Sequence, residues 1–337
     1  LGYPMNATVG KEGVELAFEE QLHGTSGTRR IVKDQDGNVI SQEWSREPEP
    51  GDNAVLTLDM ALQSTTEDLL AQYAARQEVK VGEDGEPEPA KGMAAAVVDM
   101  SGGVLALASY PTYDLASFRE NFSQLQDDMS RPLYNNATQA QKAPGSTFKP
   151  ITAVAALEEG VIGLQDTIEC TGIYDQISKP IKCWIWPGRH NSENIEEGIQ
   201  NSCNYFFAEL AHRLCMKPDG TYSPDQGLTT LRKYASMFGL DHTSGVEIPE
   251  NDPQISSEDP ERSAMGQGTH SYTNVQLSRY VAALANRGTV FELSLLDRET
   301  DSDGNLVRDF TPEASDHINI QDSTWDAVAL GMRNVIT

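Results

Sequence analysis

Apolar and polar residues alternate on both sides of an Asp-Gly pair in RRIVKDQDGNVISQEW, residues 29–44. A period of two around a turn dipeptide predicts a β-hairpin. The same pattern returns in TVFELSLLDRETDSDGNLVRDF (289–310) and, around Ser-Gly-Gly, in MAAAVVDMSGGVLALASYP (93–111). AVLTLD (54–59) reads as a short strand leading into MALQSTTEDLLAQYAARQ, where Leu62, Leu69, Leu70 and Tyr73 keep helical spacing. Ile151 to Leu157 is apolar except for Thr152, the mark of a buried helix. Phe206, Phe207, Leu210 and Leu214 form the apolar stripe of another. Strands come first, helices fill the middle and strands return, which predicts an α+β fold with an antiparallel sheet flanked by helices. Residues 1–50 read as a small strand-rich region, Arg46–Asp52 as a proline-rich hinge, and residues 51–337 as the main domain. Val81–Gly92 reads as an acidic, solvated loop, and no internal repeat is visible.

The chain has 337 residues, 38% of them hydrophobic, enough for a sizeable core. The net charge of −26 excludes nucleic acid as a partner, because phosphate binding needs a basic face. No stretch approaches the ~18 apolar residues of a membrane span. No signal peptide is visible and the first residue is Leu1, so the chain is expected to be cut from something longer. Four cysteines, Cys170, Cys183, Cys203 and Cys215, show no CxxC spacing, which argues against zinc. Cys170 and Cys183 flank a loop; they pair if the compartment is oxidising and otherwise stay free thiols. The six histidines form no HExxH pattern, and no Walker or GxGxxG loop is present, so no cofactor or metal is expected.

Candidate chemistry begins at QKAPGSTFKP (141–150). A serine hydroxyl is a weak nucleophile at neutral pH and needs a base within reach. Ser146 and Lys149 are three residues apart at a helix start, on one face. The helix N-terminus favours negative charge developing at Ser146, and apolar surroundings lower a lysine pKa toward that of a base. Alone, Ser-x-x-Lys also describes an N-cap serine beside a solvated lysine. A second element changes the balance: Ser202-Cys203-Asn204 stands on a turn before a helix, about fifty residues further on.

Ser-x-x-Lys followed by Ser-x-Asn resembles the penicillin-binding protein and serine β-lactamase superfamily, whose third mark is Lys-Ser/Thr-Gly. GKEGVELAFEEQLHGTSG (10–27) resembles the linker region of class B penicillin-binding proteins, and GDNAVLTLDMALQ the opening of their transpeptidase domain. VLALASYPTYD is similar to their Leu-Ala strand and proline turn, and MGQGTHSYTNVQLSRYVAALANRGTVF (265–291) to their Gly-Gln-Gly segment and the helix behind it.

The resemblance implies a peptidoglycan D,D-transpeptidase. Ser146 attacks the D-Ala-D-Ala carbonyl of a stem peptide, Lys149 accepts its proton, Ser202 relays a proton to the leaving amine, and Asn204 binds the substrate amide. Gly266, Gln267 and Gly268 line the substrate site, and β-lactams acylate Ser146 as substrate mimics. The partners implied are stem peptides, β-lactam antibiotics and other cell-wall synthesis proteins. The location implied is the outer face of the bacterial membrane, with an anchoring helix in the parent protein. One departure stands out: Lys11-Glu12-Gly13 and Lys91-Gly92 do not fit the third motif, and the chain stops at Thr337 where that motif is due. The chain as it stands is therefore expected to be a weak enzyme, incomplete at both ends, because losing one oxyanion-hole donor costs about 10²–10³ in kcat. A catalytically impaired cell-wall scaffold, a D,D-carboxypeptidase and a serine β-lactamase are the alternatives.

Overall fold

The computed structural model describes residues 9–76, 92–311 and 313–336. The predicted acidic loop lies outside these except for Gly92. Thr28–Lys33 pairs antiparallel with Val39–Arg46 as the alternation predicts. The turn is held by Asp34, whose Oδ1 accepts from the N–H groups of Asp36 and Asn38 at 2.9 and 2.8 Å. Gly37 supplies the positive φ of 86° that the turn requires. The same five-residue device, Asp301 to Asn305, closes the hairpin of Leu296–Thr300 with Leu306–Asp309.

Leu296–Thr300 pairs on its other side with Asn53–Leu56, giving a three-stranded antiparallel sheet. The hairpin of Met93–Val98 and Val104–Tyr110 is tied to it by Val104 N–H to Ser294 O (3.0 Å) and by the Thr57 hydroxyl, which donates to Val104 O at 2.7 Å. The Met60–Ala75 helix is capped by the Asp59 carboxylate. It docks on the strand edge through Gln63, whose side chain exchanges two hydrogen bonds with the backbone of Leu107, at 3.0 and 2.7 Å. The predicted helix is present, and its four spaced residues are only partly covered. Leu62 and Leu70 are half-buried, and Leu69 and Tyr73 are exposed.

The main core surrounds the Lys149–Glu158 helix, in which every residue from Lys149 to Ala156 is buried. Asn204–Leu214, Pro224–Met237, Asn274–Ala285 and Asp322–Asn334 contribute to the same cluster. Phe206, Phe207, Leu210 and Leu214 face it, as their spacing predicts. A smaller core of Val104, Val246, Ile248, Val275, Leu293 and Leu295 sits under the strands. The architecture is α+β with antiparallel strand pairs and a helical core, and the central helix carries its first residue, a lysine, into that core.

Candidate active site

Ser146 lies in a one-turn 3₁₀ segment, Gly145–Phe148, that runs directly into the Lys149–Glu158 helix. Side chains three apart eclipse in such a turn, so Ser146 and Lys149 share a face. Gly145 opens it with φ 59°. Phe148 is buried and pins the turn, while Tyr280 Oη donates to Thr147 O at 2.9 Å. Ser146 itself is exposed.

Lys149 is 2% exposed. Its Nζ donates to Ser202 O at 2.7 Å, Ser202 Oγ at 3.0 Å and Asn204 Oδ1 at 2.8 Å. Three acceptors for three ammonium protons make this the charged, resting form. Burial pulls its pKa down from 10.5 to about 8, against the opposing influence of Cys203, Cys183 and Glu193. Among the described residues Ser146 Oγ makes no hydrogen bond, so the Ser146–Lys149 contact expected from spacing is not closed in this state.

Ser202 adopts a left-handed φ of 49°, unusual for a residue with a Cβ. That bend presents both its carbonyl and its hydroxyl to Lys149. Asn204 is the first residue of the following helix, and Cys203 Sγ caps it by accepting from Phe206 N–H at 3.4 Å. Gly198 allows the approach of Phe206, since a Cβ there would meet the ring at 2.7 Å.

The Gly266-Gln267-Gly268 segment arrives from the opposite side. Gly145 N–H donates to Gly266 O at 2.9 Å, and a Cβ on Gly266 would stand 2.0 Å from Gly145 O. Gln267 is exposed with its Nε2 close to Gly145. Folding thus gathers Ser146, Lys149, Ser202, Asn204 and the Gly-Gln-Gly segment into one neighbourhood.

Sequence reasoning missed three features. His270 is buried beneath the Gly-Gln-Gly segment: Nε2 donates to Ser263 O at 3.1 Å, and Nδ1 accepts from Ser256 N–H at 3.1 Å and faces Tyr272 Oη at 3.0 Å. Burial depresses its pKa to about 4, so it is a neutral strut. Trp184 and Trp186 stay 63% and 43% exposed, and Trp184 Nε1 donates to Asn201 O, one residue before Ser202. No periodicity marks either.

The third is a donor cluster. Cys170, Cys183, His190 and Cys203 bring their ligand atoms within 4.8 Å of one another. Cys183 Sγ lies 3.5 Å from His190 Nδ1 and 3.9 Å from Cys203 Sγ. Tetrahedral zinc with Zn–S of ~2.3 Å places its sulfurs about 3.8 Å apart, so this set can hold one such ion. His190 Nε2 and Glu193 Oε2 are buried without a hydrogen-bond partner among the described residues, and Glu193 Oε2 lies 3.9 Å from His190 Nδ1. The contact between Cys183 and Cys203 holds the Cys183 thiol below the ordinary thiol range, with help from backbone N–H groups, and pushes Cys203 above it, with help from burial. CxxC spacing does not reveal this cluster because its donors come from separate strands and loops. The Cys170–Cys183 disulfide is not formed; all four cysteines are free.

A model of the penicillin-binding protein transpeptidase domain matches residues 92–337, and one of the penicillin-binding protein dimerisation domain matches residues 1–56. Peptidoglycan D,D-transpeptidase MrdA of Escherichia coli is 30% identical over 99% of this chain and 51% of its own length. Penicillin-binding protein 2B of Streptococcus pneumoniae is 26% identical over 99% of this chain and 49% of its own. The chain spans about half the length of these curated relatives. A chain from a structure on the coordination of polymerization and crosslinking by a peptidoglycan synthase complex superposes with a TM-score of 0.81 at 27% identity, over 99% of this chain and 57% of that one. PBP2 of Pseudomonas aeruginosa gives 0.73 at 26%, over 97% and 67%.

Proposed function

The chain belongs to the penicillin-binding protein transpeptidase family, and we propose that it provides the acyl-enzyme centre of a class B peptidoglycan D,D-transpeptidase. The observation that carries this reading is the buried Lys149 ammonium, bonded to Ser202 and Asn204 beside an exposed Ser146. Lys149 loses one of its three protons and becomes the base for the Ser146 hydroxyl. Ser146 Oγ then bonds to the carbonyl carbon of the D-Ala-D-Ala link, and the C–N bond breaks. The proton leaves Lys149 through Ser202 Oγ to the departing D-Ala amine. An amine of a neighbouring stem peptide attacks the resulting ester, returns its proton along the same path, and frees Ser146. Asn204 and Gln267 flank this line and orient the stem peptide.

The family resemblance supports the outer face of the bacterial membrane as the site of the reaction. No helix of the described residues is long and apolar enough to cross it. A PBP2 of Helicobacter pylori has been solved in complex with MreC, which supports cell-wall assembly proteins as partners here. We further assign residues 1–50 to a linker region and residues 51–337 to the transpeptidase domain, and read Cys170, Cys183, His190 and Cys203 as a zinc-class centre bracing the Ser202 turn.

The test is intact mass of the full-length protein before and after benzylpenicillin, with Ser146→Ala as control. A stable one-penicillin adduct that the variant lacks is expected. An adduct that clears within minutes favours a β-lactamase. With a stem-peptide donor, cross-linked product supports the transpeptidase and free tetrapeptide alone supports a carboxypeptidase. No adduct overturns the enzyme reading in favour of a scaffold.

A further inference from the structure

Three of the four donors beneath the Ser202–Asn204 turn are thiols, and Cys203 is the residue between Ser202 and Asn204. Cys183 and Cys203 are buried with their sulfurs 3.9 Å apart. A disulfide needs ~2.05 Å, so the pair has to close by about 1.9 Å to bond. We propose that the acyl-enzyme centre is under thiol control: an ion held by this cluster keeps the Ser202–Asn204 turn in its working position, and loss of the ion lets a disulfide-class oxidant join Cys183 to Cys203 and switch the centre off. This rests on the transpeptidase reading above and extends it to regulation.

The coupling is short. Lys149 takes all three of its bonds from the residues on either side of Cys203, at 2.7 to 3.0 Å. Ser202 sits in a left-handed conformation that only its surroundings impose. Cys203 Sγ also caps the Asn204–Leu214 helix. Drawing that sulfur toward Cys183 removes the cap and moves both of Lys149's partners together. Misplacing a catalytic group by about 1 Å can cost a hundredfold in rate.

The chemistry balances with a small-molecule disulfide such as oxidised glutathione. In the loaded state the sulfurs are bound to the ion and do not exchange. Once it is removed, the Cys183 thiolate attacks one sulfur of the oxidant and expels a glutathione thiolate. The Cys203 thiolate then attacks Cys183 in the mixed disulfide and expels the second. Two protein thiols are oxidised, one disulfide becomes two thiols, and the two protons end on the leaving groups. Cys183 is the natural entry point, at the root of a loop whose Trp184 and Trp186 are exposed.

The experiment uses full-length protein, zinc-loaded or stripped with a chelator, then treated with oxidised glutathione. Three readouts are taken: disulfide mapping by mass spectrometry, the rate of Ser146 acylation by a fluorescent penicillin, and the same rate after reduction and addition of zinc. Expected are a Cys183–Cys203 link in the stripped sample alone, acylation slowed by about a hundredfold, and recovery on reduction with zinc. A Cys170→Ser variant, stripped and oxidised, still forms the link. A link between Cys170 and Cys183, or unchanged acylation in the cross-linked protein, overturns the proposal. Cross-linking of the loaded sample as fast as the stripped one overturns the role of the ion. Failure of the reduced, loaded protein to acylate at all overturns the transpeptidase reading, and the switch with it.

Discussion

Lys149 has two duties that conflict. As an ammonium it satisfies Ser202 and Asn204; in the mechanism we propose, it takes the Ser146 proton as a free amine. Burial sets the balance by lowering its pKa to about 8. At neutral pH most molecules hold the resting ammonium, so acylation by benzylpenicillin should rise about tenfold per pH unit below that value and level off above it. A flat profile from pH 6 to 9 would remove Lys149 as the base. The same shift acts on stability. The folded pKa lies below the unfolded one, so between about 8 and 10.5 the unfolded chain binds more protons and stability rises with pH. Burial raises the pKa of Tyr174, Tyr222, Tyr234 and Tyr272 and acts the other way near the top of that window. Lys149→Met isolates the lysine's part. Relative to the variant, the parent should gain about 2–3 kcal/mol from pH 7 to 10 in urea melts, whereas an unchanging difference would mean that burial does not depress the pKa.

Elements meet at the site because backbones approach where side chains are absent. Gly266 is at φ 71°, with no room for a Cβ against the Gly145 carbonyl. Gly266→Ala should therefore cost about 2 kcal/mol or more and slow acylation. It pushes the Gly-Gln-Gly segment off the Ser146 turn without touching Ser146 or Lys149. Unchanged melting and unchanged acylation would mean that the two segments are not seated together. The elements legible in the sequence were those whose cause is local. Asp-x-Asp-Gly-Asn closes both long hairpins through one carboxylate and one glycine, and the largely apolar run from Ile151 marks the buried helix. The Met60–Ala75 helix was legible from its spacing, but the two hydrogen bonds that tie Gln63 to Leu107 were not, because a hydrophobic stripe does not record them. The site's residue types were visible as two spaced motifs, but the three bonds that join Lys149 to Ser202 and Asn204 span more than fifty positions. The thiol cluster was invisible for the same reason, since its donors at 170, 183, 190 and 203 become neighbours only after folding.

Across the molecule, stability is divided unevenly. The strands Thr28–Lys33 and Val39–Arg46 are exposed at every position and, among the described residues, pair only with each other. Ile31, Ile40 and Trp44 remain 49%, 66% and 44% exposed, and the Arg29 guanidinium over Trp44 adds only about 0.5–1 kcal/mol at such a site. A two-stranded hairpin with no core behind it is marginal in water. The Lys149–Glu158 helix is buried among four others and can open only when the core does. Hydrogen exchange should therefore separate the two by orders of magnitude. Amides of residues 28–46 should exchange within about tenfold of an unfolded peptide, and those of 151–156 should track global unfolding. Added salt should discriminate further. A net charge of −26 repels itself throughout the fold, so raising ionic strength should slow exchange in the helix while leaving the hairpin nearly unchanged. Hairpin amides as slow as the helix would contradict this division. If their protection then fell on dilution, a second copy of the chain would be what covers the exposed strands; if it did not, the hairpin would have to draw its stability from within the chain.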